Sequence, residues 1–298
     1  MPPRAAPPAW ALALGGMVSV GLLAAIVVQL RHTSSAILAL LTHLPPAAFV
    51  SFALLYMVQP LADLIIYRRV WNFPFAGLAA LFRKTAINEV LFDYSGELYL
   101  YLWARRRAGL AEAPIDAIKD VNILSALIGA GLTLVLLILA ATQVGSLDLV
   151  PILRPLLWPG VAVMVISLTI LVFARRVFSL RRDDLIFVAM VHALRLAATS
   201  TLTITTWRLA LPGTDPGVWV VLLAVSLLVA RIPFVTNKNL LVGNVVLLTV
   251  GTASSFGLLL AGLAVVTLAA HLVVIALLGA NDVARLLLTS KLGTSAGR

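Results

Sequence analysis

Cysteine is absent from the 298 residues, which excludes disulfides, thiolate metal sites and cysteine nucleophiles together. Charge is scarce as well, with Asp, Glu, Lys and Arg making up 11% of the chain, against roughly 25% in soluble domains. The four histidines, at 32, 43, 192 and 271, have no metal-ligand spacing. No G-x-S-x-G elbow and no phosphate-cradling glycine loop is present. Asp183-Asp184 lacks the third acid of a prenyl-diphosphate site. No catalytic residue, metal or cofactor is assigned on this basis.

What remains is hydrocarbon. The chain is 61% hydrophobic, with mean hydropathy +1.06. Its length allows about eight spans of about 20 residues each. The expected fold is therefore all-α, a polytopic membrane helix bundle forming one domain over 1–298, with a re-entrant or interfacial element at about 71–107. The expected spans are Trp10 to Leu30, Ala47 to Tyr67, Val121 to Val144, Leu156 to Ala174, Leu185 to Leu209 and Val218 to Ile232. Two more fit within Leu240 to Gly279, divided at Gly251 to Gly257. Ser34 to Leu44 is too short to cross. The apolar run at Trp10 is long for a signal peptide and reads as a retained anchor. Gly129-Ala130-Gly131 allows close helix approach.

The net charge of +10 fits topology and anionic headgroups in such a chain, not nucleic acid. With the N-terminus inside and 71–119 dipping without crossing, 18 of the 22 Lys and Arg, Lys84 among them, fall on the cytoplasmic side. Arg31, Arg154 and Arg208 fall outside, and Arg195 lies within a span. This asymmetry places both termini in the cytoplasm and suits a bacterial inner membrane. The six Trp fall at span ends, as an interfacial belt would.

Polar chemistry concentrates in Arg83 to Arg107. Read as one helix, Glu89, Asp93, Glu97, Tyr101 and Arg105 share a face, interrupted only at Ser95-Gly96. Acids at membrane depth need protein cover or water. One reading is a headgroup cavity in which Glu97 and Asp93 meet a cationic or hydroxyl-bearing group. Arg83, Arg105 and Arg106 would then meet phosphate. The other reading is an amphipathic surface helix with a solvated acidic face. Arg195, about 15 Å into its span, with His192 one turn away, either guides a phosphate or forms an internal ion pair with Asp63 or Glu97. The hydroxyls from Thr199 to Thr206 can bond back to helix carbonyls, and His271 reads as a packed, hydrogen-bonded residue.

The order of features resembles the integral-membrane domain of the lysylphosphatidylglycerol synthase/flippase family. A span ends in Tyr67-Arg68-Arg69-Val70-Trp71. A broken apolar segment follows, then Gly96-Glu97, Leu100 to Arg107, and Gly109-Leu110. The motif likeness covers about 45 residues. The family's Pro before Gly-Glu is missing from Phe92-Asp93-Tyr94-Ser95, and its late Pro-Gly-Gly-x-Gly element is not recognisable. The cytosolic aminoacyl-transfer domain is absent, so the resemblance implies lipid translocation or presentation without lipid synthesis. The partners it implies are membrane lipids with anionic or polar headgroups. Two alternatives remain at this stage. One is a non-catalytic subunit that binds membrane-protein partners or a second copy of itself. The other is a membrane-embedded lipid-modifying transferase.

Overall fold

The computed structural model describes residues 35, 37–91, 94–107, 115–147, 178–231 and 255–295, with isolated positions at 162, 165, 169, 173, 238, 239, 241–243 and 246. Side chains are not described at 106, 107, 143–147 and 280–295. Every regular element among these residues is helical, so the chain folds as an all-α bundle. The helices are α1 (Pro46–Trp71), α2 (Leu78–Val90), α3 (Ser95–Arg107), α4 (Ile115–Leu147), α5 (Arg182–Ala210), α6 (Pro216–Val229) and α7 (Ser255–Ser295).

Four of them are long and apolar enough to cross a membrane: Pro46–Trp71, Ile115–Thr142, Arg182–Ala210 and Ser255–Gly279. α6 is apolar but shorter. The expected total of eight spans thus reduces to four candidates among the described residues. The expected spans at Trp10 to Leu30 and at Leu240 lie wholly or largely outside those residues, as does most of Leu156 to Ala174.

Local chemistry sets the helix ends. Pro46 opens α1 where its missing N–H costs nothing, and Asn72, left-handed at φ 55°, closes it with a bond to the Tyr67 carbonyl. Pro60 withdraws one ladder bond inside α1, between the polar residues Gln59 and Asp63. A 3₁₀ turn at Phe75–Gly77 then starts α2.

One correction bears directly on function. The four-spaced acidic row does not lie on a single helix. α2 stops at Leu91, Tyr94 takes a left-handed turn at φ 71°, and α3 starts at Ser95. The two short helices then pack against each other. Ser95-Gly96 lies just after this break, at the start of the second helix.

α1 packs along α5, α4 along both α5 and α6, and α2 against α1 and α7. Two large apolar cores form among the described residues. One joins Ile66, Leu81, Leu100, Val121 and Val188; the other gathers around α6, with Leu222, Val225, Val246 and Leu259. The described tryptophans belong to these cores. Trp71, Trp207 and Trp219 are buried in protein, and Trp207 and Trp219 pack 5.8 Å apart. All three lie near helix ends, as expected, with their rings covered by protein neighbours. Trp10 and Trp158 lie outside the described residues.

Candidate functional site

Five helices meet at a chain of polar contacts. Lys84 on α2 points into the bundle with its side chain 5% exposed, and its ammonium lies 2.8 Å from Asp63 Oδ2 on α1 and 3.2 Å from Glu97 Oε1 on α3. Asn88, one turn along α2, donates to Glu97 Oε2 at 2.9 Å and accepts the Gly96 N–H at 2.6 Å. On the other side, Gln59 donates to Asp63 Oδ1 at 2.9 Å. Arg195 on α5 donates to Gln59 Oε1 through Nη1, and to Ser125 Oγ on α4 through Nη2 at 3.1 Å. An ion cluster at such depth persists only when each carboxylate oxygen has a donor. Here all four oxygens of Asp63 and Glu97 have one.

Gly96 makes the cluster possible. A Cβ at this position would collide with the Lys84 carbonyl oxygen and lie 2.8 Å from Asn88 Oδ1. Only glycine lets the first turn of α3 rest on α2 closely enough for Glu97 to reach Lys84. Burial disfavours the Lys84 ammonium, but Asp63, Tyr67 and Glu97 outweigh it and hold Lys84 protonated above the ordinary lysine range.

Beside this network lies a cavity of about 200 Å³, lined by Gln59, Asp63, Lys84, Asn88, Glu89, Glu97, Asn122, Ser125 and His192, among others. His192 is buried, and its Nε2 lies 3.2 Å from the Val121 carbonyl. A carbonyl can only accept, so Nε2 carries the proton and Nδ1 is left as an acceptor. That Nδ1 is buried and has no partner. The cavity wall therefore carries three carboxylates and one ammonium, with one unpartnered imidazole acceptor buried beside it.

The expected site residues divide. Glu97 and His192 line the cavity, and Arg195 binds two of its wall residues. Arg195 does not pair directly with Asp63 or Glu97; Gln59 stands between it and Asp63. Arg83 turns to Tyr99 instead, with Nη1 3.4 Å from the hydroxyl, and exposed Arg105 lies over the Tyr101 ring at 5.8 Å. Neither lines the cavity. Asp93 and the side chain of Arg106 lie outside the described residues. Sequence reasoning missed Gln59, Lys84, Asn88 and Ser125 as site residues. The available signal was the four-residue spacing of Gln59 to Asp63 and of Lys84 to Asn88, which puts each pair on one helix face.

Two other polar contacts serve packing. His271 Nδ1 lies 2.9 Å from the Tyr56 hydroxyl, joining α7 to α1. Thr206 Oγ1 lies 2.8 Å from the Leu202 carbonyl and 2.9 Å from Ser51 Oγ, joining α5 to α1. Among the described residues no cluster of His, Asp and Glu could hold a metal ion. Comparison with family models, curated proteins and solved structures gives no match, so the functional argument rests on these residues.

Proposed function

We propose that the protein handles a polar lipid headgroup, passing it between leaflets or presenting it at one of them. The observation that carries this reading is the polar cavity of about 200 Å³ between the long apolar helices α1, α4 and α5 and the short pair α2–α3. At about 30 Å³ per water, it has room for about six waters or a headgroup of similar bulk.

The wall chemistry supports a donor-bearing headgroup. Asp63, Glu89 and Glu97 outnumber Lys84, and His192 Nδ1 lacks a donor. An amine or a set of hydroxyls would suit that excess of negative charge, and exchange of Lys84 between its carboxylate partners would let the group in without leaving a bare charge. α3 packs back along α2, as the arms of a re-entrant element would. In this reading the protein sits in a bacterial inner membrane with both termini in the cytoplasm, supported by the one-sided distribution of Lys and Arg.

Leaflet exchange of headgroup-labelled lipids in proteoliposomes tests the proposal, with Glu97→Gln as the comparison. The variant keeps an oxygen for Asn88 but loses the charge. Exchange is expected from the wild type and about tenfold or more less from the variant at unchanged fold. No exchange from well-folded wild-type protein, across several lipid classes, would refute it.

A further inference from the structure

Among the described residues that line the cavity, one buried side-chain polar atom has no partner: Nδ1 of His192. The residue is 1% exposed and sits on α5, which packs against both α1 and α4. Its Nε2–H is spent on the Val121 carbonyl of α4 at 3.2 Å. A lone acceptor of this kind is rare in a folded interior, where buried polar groups have partners almost without exception. It is also the ring position at which a proton can be added without breaking an existing bond. Imidazole is a reversible proton acceptor, and here it stands at the wall of a polar cavity.

Charged neighbours surround this ring. α1 presents Asp63 and, one turn on, the buried Tyr67; α2 presents Lys84 and Glu89, and α3 presents Glu97. α4 carries Lys119 and Asp120 beside Val121, 3.7 Å apart, and Arg69 of α1 pairs with Asp184 of α5 at 3.1 Å near the exposed end of the same seam. α6, which also packs on α5, has no titratable side chain. α5 itself adds Arg195, one turn from His192. The carboxylates attract an imidazolium, and the cations Lys84 and Arg195 repel it. Lys84 is fixed by two carboxylates. Arg195 is fixed by neutral partners only, Gln59 Oε1 and Ser125 Oγ, with its Nε buried and unpartnered. A positive ring one turn away therefore acts first on the Arg195 tie, which joins α5 to α1 and α4.

We infer that Nδ1 of His192 is a proton-binding site and that proton uptake there drives the helix movement that transfers the headgroup, so that translocation is proton-coupled. The coupling rests on the headgroup reading above and adds the ion that drives it. In the step itself, a proton carried by cavity water goes to the Nδ1 lone pair, the Nε2–H bond to Val121 is kept, and the neutral ring becomes an imidazolium. Repulsion then takes Arg195 off Gln59 and Ser125, and α5 loosens from α1 and α4 around the cavity. Loss of the proton to water on the other side restores the tie. Because the proton binds more strongly once Arg195 has moved away, its binding shifts the protein toward that state.

Two measurements separate the proton site from its coupling. The first is nitrogen NMR of the purified full chain, labelled at histidine, in neutral detergent micelles. His192→Gln identifies the signals of that ring; if the variant does not fold, single glutamine replacements of His32, His43 and His271 assign them by elimination. At about pH 8 the ring is expected to show Nε2 protonated and Nδ1 bare. On acidification to about pH 4, Nδ1 is expected to gain a proton while Nε2 keeps its own. A ring that stays neutral throughout, or that carries its proton on Nδ1 at pH 8, would overturn the site. The second measurement is leaflet exchange in proteoliposomes under an imposed pH gradient, with protein-free vesicles as the baseline. The probes are acyl-labelled phosphatidylethanolamine, phosphatidylglycerol and a diglucosyl lipid. One proton per lipid is expected to shift the steady-state leaflet ratio of the exchanging probe about tenfold per pH unit. His192→Gln is expected to lose this response, judged against its own rate without a gradient. A leaflet ratio indifferent to the gradient in wild type that does exchange, or an equal response from His192→Gln, would overturn the coupling alone. Absence of exchange with every probe would sink the headgroup reading and its coupling, with the micelle titration still deciding the proton site.

Discussion

Replacing Lys84 by methionine keeps most of the side-chain bulk and removes the cation between Asp63 and Glu97. The three side chains are 5%, 2% and 12% exposed, so bulk water does not reach the place of the ammonium. The two carboxylate oxygens that contact it lie no further apart than the two contacts laid end to end, about 6 Å. Unit charges at that separation repel by roughly 3 kcal/mol at an effective dielectric of 20. Removal of one partner from a buried ion pair costs about 3–5 kcal/mol by mutational experience, which is the same order. Lys84→Met is therefore expected to lose about 3–5 kcal/mol at pH 7, read from denaturant unfolding in detergent followed by circular dichroism. Lys84 is held above its ordinary range, so its contribution is complete below about pH 10 and is lost only as pH climbs through the folded value. A Lys84→Met variant within 1 kcal/mol of wild type, or a wild-type loss centred near pH 8, would refute the reasoning.

Two further substitutions probe how the site is held. Gly96→Ala drives a methyl group into the Lys84 carbonyl and is expected to cost roughly 1–3 kcal/mol by forcing α2 and α3 apart. A melting temperature equal to wild type would contradict this. Asp120, fully buried at the start of α4, accepts the N–H groups of Ser179 and Leu180 at 2.6 and 2.8 Å. Asp120→Ala is expected to cost about 1.5–3 kcal/mol and to expose the connection before α5 to limited proteolysis; an unchanged digestion pattern would show that the connection is held by other contacts.

The long helices were legible because hydrocarbon runs of sufficient length have few alternatives. Ala47 to Tyr67 and Leu185 to Leu209 were extended by a few residues, to Pro46–Trp71 and Arg182–Ala210. Glu97, His192 and Arg195 stood out for the same reason, as polar groups where apolar ones are the rule. Lys84 did not, because a lysine next to an arginine near a span end reads as a snorkelling topological anchor. Packing of α2 on α1 aims it inward at Asp63, and the turn at Tyr94, a conformation its sequence does not demand, brings Glu97 to it. The same turn separates Glu89 from Glu97 and ends the apparent row. Arg231 was counted as one more inside charge, since its contact with Gly129 joins residues about a hundred positions apart.

The packing of α2 against α7 carries a consequence for the growing chain. α2 ends at Val90 and α7 begins at Ser255, 165 residues later. At synthesis rates of about 5–20 residues per second, the short helix waits on the order of ten to thirty seconds for its partner. Its charges need not wait. Asp63, Lys84 and Glu97 lie within one 35-residue stretch, so the ion cluster can close as soon as α3 leaves the ribosome. The α2–α3 pair would then be tied to α1 through that cluster and hold its place until α7 covers its apolar face.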